Sequence, residues 1–355
     1  MTIRFTSLIL LLALLPSLVT SQPLSLSKGY GIARQSEQPP KPVQKPPQNP
    51  PQKPAEKPAE KPAEKPPPDQ DEPVKLSSRL VMVPVSASDA AGKPVLNLTV
   101  DDFVIEEDGK PQQITALGEP GKAPIEIAML FDVSGSIHSQ FAFEQQAAVR
   151  FIKEVLKPGD TVSVFAIGTT PKLMKPRTTN IEEAITGLMA IEPAKAATAF
   201  FDTVTEAALY LGKNADPGSR RVLIIISDGE ENYSQRYVLN DALRELQKND
   251  CLFYSINPSG QAINLNTMSL KGQGFMEAMS TQTGGKAFIP DKVGNLESVF
   301  RQITEELQAQ YLFGYYATGE RTAGGFKRIT VRAPKRPDLR VRARQGYYTP
   351  GAANP

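Results

Sequence analysis

Four stretches of the chain are nearly all apolar: "IEIAMLFD" (125–132), "TVSVFAIG" (161–168), "RVLIIISDG" (221–229) and "CLFYSIN" (251–257). Runs this short and this continuous read as central parallel strands covered on both faces. Between and after them, apolar residues return at helical spacing. Leu296, Val299, Phe300, Ile303 and Leu307 follow an i, i+3, i+4, i+7, i+11 pattern. "FEQQAAVRFIKEVL" (143–156) and "DALRELQKN" (241–249) also read as helices. Strand alternating with helix predicts a doubly wound, mostly parallel α/β sheet over residues 120–310.

Outside that region the period changes to two. Val81, Val83, Val85 and Ala87 fall on one face of a strand, with Pro84 arguing for an edge or a bulge. "DDFVIEEDGKPQQITAL" reads as strand, Asp108-Gly109 turn, strand. Near the other end Ile329, Val331 and Ala333 alternate with polar residues, and so do Leu339, Val341 and Ala343. Neither flank has enough strands for a stable sheet alone. The first is acidic (Asp101, Asp102, Glu106, Glu107, Asp108) and the second basic (Lys327, Arg328, Arg332, Lys335, Arg336, Arg340, Arg342, Arg344). The expectation is one small β-sandwich built from both ends of the chain, residues 76–119 with 311–350, from which the α/β domain emerges. The basic stripe reads as the solvent face of a strand, with a surface for an acidic partner as the alternative.

Composition adds an export history. Arg4, an apolar stretch from Leu8 to Leu15, Pro16 and the small residues Val19 and Ser21 have the layout of a signal peptide, residues 1–21. Residues 22–75 read as a disordered linker, since 13 of the 30 positions from 39 to 68 are proline and Lys-Pro-Ala-Glu recurs. In extended form those 30 residues reach roughly 90 Å, at about 3.1 Å per residue. That length suits either a spacer or a tether across part of a cell envelope. No later segment is long and apolar enough for a transmembrane helix. The expected location is periplasmic or extracellular.

The lone Cys251 excludes an internal disulfide, so the fold must rest on its core. The lone His138 excludes multi-histidine metal sites, and a net charge of +2 gives no argument for nucleic acid. Asn97-Leu98-Thr99 and Asn232-Tyr233-Ser234 match glycosylation sequons, a match common by chance.

The candidate chemistry lies where strands end. "MLFDVSGSIHSQ" stops an apolar run at Asp132 and follows it with Ser134 and Ser136; "AATAFFDTV" places Thr198 before a helix; "IIISDGEEN" places Asp228 after another strand. Asp, Ser and Gly are ordinary turn residues, so any one stretch alone reads as a turn. Ligands of open α/β sheets bind at the carboxyl ends of strands, however, and all three stretches fall there. Together they resemble the metal-ion-dependent adhesion site of the von Willebrand factor A domain, D-x-S-x-S followed by a Thr and an Asp. Ala197 stands where that family commonly has Gly. The flanking "VLNLTVDDFVIEEDGKPQQI" and "ARQGYY" are similar to exported von Willebrand A-related proteins of acidobacteria.

The resemblance implies a Rossmann-like fold and one divalent cation, Mg²⁺ or else Mn²⁺ or Ca²⁺. It implies that Ser134, Ser136 and Thr198 supply neutral oxygens while Asp132 and Asp228 grip bound waters. Mg²⁺ takes six oxygens and keeps several waters, so few direct carboxylates leave its charge available to an acidic residue of a protein partner. The expected function is therefore adhesion or protein binding, and no enzyme is expected. Two other readings stay open. A metal-free envelope scaffold could use the same fold. A hydrolase with Ser134 or Ser136 as nucleophile would need a base, and only His138 is near; the chain has no G-x-S-x-G elbow, Walker loop or H-E-x-x-H.

Overall fold

The computed structural model describes residues 80–134, 141–194, 196–260, 267–290, 295–317 and 323–350. The signal peptide, the proline-rich linker, Ser136 and His138 lie outside the described residues.

The strands read from continuous apolar runs are present: β5 (Ile125–Asp132), β6 (Thr161–Ile167), β8 (Arg220–Ile226) and β9 (Cys251–Ile256). With β7 (Lys172–Thr178) and β10 (Ala287–Phe288) they form one sheet in the order β10-β9-β8-β5-β6-β7. All neighbours are parallel except β6 and β7. The sequence pattern had not indicated β7. It is an edge strand carrying Lys172, Lys175, Pro176 and Arg177, residues that protect a sheet edge and erase the apolar signal of a strand.

Side-chain alternation along β5 explains the two layers of helices. Every residue of β5 is buried. Ile125, Ile127, Met129 and Phe131 face one core, which is completed by α1 (Phe141–Val155), α2 (Ile181–Met189) and α6 (Leu296–Ala309). Ala128 and Leu130 face the other, completed by α3 (Phe200–Asn214), α4 (Leu239–Lys248) and α5 (Thr267–Thr283). Each large aliphatic side chain buried this way contributes about 1.5–3 kcal/mol. The stacking of Phe151 on Phe300, centroids 4.8 Å apart, joins α1 to α6 within the first core.

The ends of the chain build two four-stranded antiparallel sheets. One combines β1 (Leu80–Ser88), β4 (Ile114–Gly118), β11 (Tyr311–Tyr316) and β13 (Arg340–Ala343) in the order β13-β1-β11-β4. The other combines β2 (Val104–Glu107), β3 (Lys110–Gln112), β12 (Phe326–Arg332) and β14 (Gly346–Tyr348) in the order β14-β12-β2-β3. Val81, Val83, Val85 and Ala87 enter their shared core beside Phe103, Ile105, Tyr311, Phe313 and Ile329. Strand β13 pairs with β1 only from Val85 onward, so at Pro84 the strand has a ladder partner on one side, β11. The expected turn is present, with Asp108 at φ 49° and Gly109 at φ 76°. The strand after it is divided, however: β3 stays in the second sheet and β4 crosses to the first, with Gln113 at the corner.

Opposite charge does link the flanks, through Lys327–Asp108 at 3.0 Å and Arg332–Glu106. These pairs are partly exposed, where such contacts contribute about 0–1 kcal/mol. The apolar core therefore holds the sandwich, and the charges that suggested it are secondary. The sandwich and the α/β layers belong to one compact unit. Glu306 of α6 ties them: it accepts hydrogen bonds from the hydroxyls of Ser86 (3.0 Å) and Tyr254 (2.5 Å) and pairs with Arg342.

Candidate functional site

The order of the central sheet makes a switch point. The chain leaves β5 toward β6 on one side, then returns through α2 and α3 to β8 on the other. Crevices outside the carboxyl ends of such neighbouring strands are the binding positions of open α/β sheets. Asp132 ends β5, and Asp228 follows β8 by two residues.

Asp132 is fully buried. Its Oδ1 accepts the backbone N–H of Ser134 at 2.9 Å, a local turn made by an Asp side chain. Its Oδ2 accepts the hydroxyl of Ser227 at 2.5 Å. That hydroxyl in turn accepts the N–H of Gly229 at 2.9 Å, so Ser227 locks the two loops together. Gly229 sits at φ 78° with the backbone of Gly272 in α5 so close that a Cβ would lie 2.7 Å from its carbonyl oxygen; no other residue fits. Asp228 is 3% exposed, and its Oδ1 accepts the N–H of Glu230 at 3.1 Å. Burial pushes the Asp132 carboxyl up to about 6; the Ser227 hydroxyl and Ser134 N–H oppose that rise, and the Asp228 charge adds to it.

Thr198, 1% exposed, is positioned by the loop that follows Asp228. Its N–H donates to Asn232 Oδ1 at 2.7 Å, and its carbonyl accepts the N–H groups of Asn232 and Tyr233. The adjoining segment is fixed to the other loops, with Ala194 N–H on the Val133 carbonyl and Ala199 N–H on the Gly168 carbonyl, both at 2.8 Å. Ser134, Thr198, Asp132 and Asp228 thus occupy three loops laced to one another by hydrogen bonds.

The lacing uses residues that the sequence reading missed. The N-cap of α3 is Ala199, whose side chain cannot cap. Glu231 accepts the N–H of Phe201 at 3.0 Å, and the Ser234 hydroxyl accepts the N–H of Asp202 at 3.1 Å. Asp202 answers by accepting the N–H groups of Gln235, Arg236 and Tyr237. Helix α3 is capped from a loop thirty residues away, and Asn232 and Ser234, which match a sequon, belong to this clamp. Glu231→Ala should cost about 1–2 kcal/mol, the range of a lost N-cap. Urea unfolding of the variant checks this; an unchanged midpoint would mean the cap does not hold the helix.

Glu144, in the first turn of α1, is also fully buried, and among the described residues neither of its carboxylate oxygens has a hydrogen-bond partner. Burial raises its pKa to about 8, and the charges of Asp132 and Asp228 add to the rise. Among the described residues, no three His, Cys, Asp or Glu side chains form a group able to hold an ion by themselves. A site that takes oxygens from hydroxyls and water needs no such group. Buried acids that accept hydroxyl and N–H donors, with the Glu144 carboxylate unpartnered among the described residues, fit a small hard cation.

Two open clefts flank the loops. One of about 590 Å³ is lined by Thr169, Thr170, Asp202, Tyr210 and Tyr233. One of about 460 Å³ is lined by Val133, Gly168, Thr169, Ile191 and Ala196. Another cleft, of about 950 Å³, lies elsewhere, between α5 and strands β12 and β13.

Residues 127–231 match the von Willebrand factor type A domain family. No curated protein matches the chain. Among solved structures, the chain is similar to the conserved hypothetical protein BatB from Bacteroides thetaiotaomicron, with 17% identity, a TM-score of 0.41 and coverage of 51% of this chain and 98% of that one. It is similar to the vWF domain of the type V pili tip protein Mfa5 from Porphyromonas gingivalis, with 13% identity, a TM-score of 0.43 and coverage of 56% and 98%. It is similar to a von Willebrand factor type A protein from Catenulispora acidiphila, with 12% identity, a TM-score of 0.44 and coverage of 73% and 76%. The family match over residues 127–231, within the parallel sheet and its two layers of helices, identifies a von Willebrand factor type A domain in that part of the chain.

Proposed function

We propose that this chain is an exported protein-binding module whose A domain holds one divalent cation and captures an acidic residue of a protein partner. The observation that carries the reading is the pair Asp132 and Asp228, two buried acids at adjacent strand ends across the switch point of the sheet. The hydroxyls of Ser134, Ser136 and Thr198 would hold the ion, with Mg²⁺ preferred and Mn²⁺ or Ca²⁺ as alternatives, while Asp132 and Asp228 orient its waters. When bound, the ion supplies a positive centre with an open position for a carboxylate. The chain's own part is to hold the three loops fixed. Ser227 pins Asp132 to the β8 loop, and Asn232 pins Thr198 to the same loop. The flanking clefts offer room for the partner's neighbouring residues. The proline-rich segment then serves as a tether between the module and the cell envelope.

A metal-free scaffold is the second reading. It rests on the same hydrogen-bonded loops, which hold one another without an ion. Capture of envelope proteins on the immobilised chain, with and without EDTA, separates the two. Capture that EDTA and Asp228→Ala both abolish supports the cation-dependent reading; capture indifferent to both supports the scaffold. Among the described residues no helix is long and apolar enough to cross a membrane.

A further inference from the structure

Glu144 is not explained by the ligand set proposed above. It lies on the stripe of α1 that packs inward, between Phe141 and Ala148. An acid in the first turn of a helix ordinarily faces water or reaches back to the free N–H groups there. Glu144 does neither: it is fully buried, and both its oxygens are unpartnered. Such a group is costly to bury. Nothing in the packing of α1 requires an acid here, since its other inward positions are filled by Phe141, Ala147, Ala148, Phe151, Ile152 and Val155 or by the hydrogen-bonded Gln145. Phe141, one turn earlier on the same buried stripe, packs its ring edge-on against Phe131 at the end of β5, 5.1 Å between centroids. The first turn of α1 is thereby held against the carboxyl end of β5, where Asp132 stands.

We propose that Glu144 is a third acid of the cation site, acting on the ion from behind Asp132 and Asp228, through a bound water and its charge, and not as a direct ligand. This rests on the cation-dependent reading above. The outer position follows from the lack of any three-acid group close enough to chelate among the described residues. Glu144 is then a positioning residue: it orients a water of the ion's shell and adds negative charge where no solvent screens it. The role also explains why its oxygens have no partner among the described residues. The partner is the hydrated ion.

The test uses the full chain with Mn²⁺ as probe, titrated calorimetrically, together with thermal unfolding in EDTA. Glu144→Gln keeps the shape and removes the charge; Glu144→Met also removes the hydrogen-bonding capacity. Asp228→Ala serves as the reference for loss of the site. Both Glu144 variants should bind Mn²⁺ about 10-fold more weakly, as outer-shell changes do. Their unfolding midpoints in EDTA should equal or exceed that of the wild type, because an unpaired buried acid has been removed. A merely structural role gives the opposite pattern, lower midpoints in EDTA with unchanged Mn²⁺ affinity, and would overturn the proposal. Unchanged affinity in both variants while Asp228→Ala weakens binding would remove Glu144 from the site and leave the site standing. Wild-type protein that takes no Mn²⁺ up to millimolar concentration would end both ideas together.

Discussion

Arg177→Ala should destabilise the protein by about 3 kcal/mol, the lower end of the range for breaking a buried ion pair. Glu126 lies in the middle layer of the sheet near the start of β5, 2% exposed. Arg177 of the edge strand β7 grips it with two parallel hydrogen bonds, Nε to Oε2 at 2.8 Å and Nη2 to Oε1 at 2.7 Å. The N–H of Asp216 and the hydroxyl of Thr161 complete the shell. Burial alone would raise the Glu126 pKa, but the Arg177 fork and the other donors hold it below the ordinary glutamate value. Removing Arg177 leaves the carboxylate buried with half its partners gone. Glu126→Gln in the same background should recover part of the loss, because a neutral amide tolerates the site better. Urea unfolding of the two single variants and the double variant measures the coupling. A loss below about 1 kcal/mol for Arg177→Ala would put the pair in the class of exposed ion pairs. The network is at the opposite end of β5 from Asp132, so metal affinity should not change.

The metal-free protein should become more stable as the pH falls from 8 to 5. Burial, with neighbouring acids adding to it, raises Glu144 to about 8 and Asp132 to about 6, against ordinary values of 4.5 and 3.8. A carboxyl whose folded-state pKa is raised binds its proton more tightly in the folded protein than in the unfolded chain. Its stabilising contribution is complete below the unfolded value and is lost as pH rises through the folded one. Between pH 5 and 8 the two groups therefore act in the same direction. The carboxylates with lowered values, including Glu126 and Asp108, act only below the ordinary carboxylate range and do not interfere there. Each unit of pKa difference is about 1.4 kcal/mol, and each kcal/mol is about 2–4 °C in a domain of this order of size. Unfolding in EDTA at pH 5, 6, 7 and 8 checks the sign. Because a cation competes with those protons, saturating Mn²⁺ should flatten the profile. A metal-free midpoint that drops steadily from pH 8 to 5 would contradict the burial of these acids.

Central strands were legible because burial on both faces leaves continuous apolar runs. Edge strand β7 was not, since partial exposure and Pro176 gave it no period. The hairpin turn was visible in Asp108-Gly109, but the division of the following strand at Gln113 was not, because Gln112-Gln113 carries no turn residue to mark the corner where the strand changes sheets. Asp132, Ser134, Thr198 and Asp228 could be named from the chain since each stands at the end of an apolar or helical run. The clamp formed by Glu231, Asn232 and Ser234 was hidden. It caps a helix distant in sequence, and local capping rules look only at Ala199. Glu144 carried a signal that went unread: an acid three residues after Phe141 and four before Ala148 lies on the apolar stripe of its own helix.

The central claim is that three loops at the switch point hold one divalent cation. Calorimetric titration of Mg²⁺ and Mn²⁺ into the wild type, Asp228→Ala and Ser134→Ala tests it most directly, repeated with acetate present because the proposed ion would have an open position for a carboxylate. One site in the wild type, weakened about 10 to 100-fold in both variants without loss of fold, is the expected result. That range is about 1.4–2.8 kcal/mol. No binding by the wild type up to millimolar metal, or equal binding by all three proteins, would contradict the claim and leave the metal-free scaffold in its place.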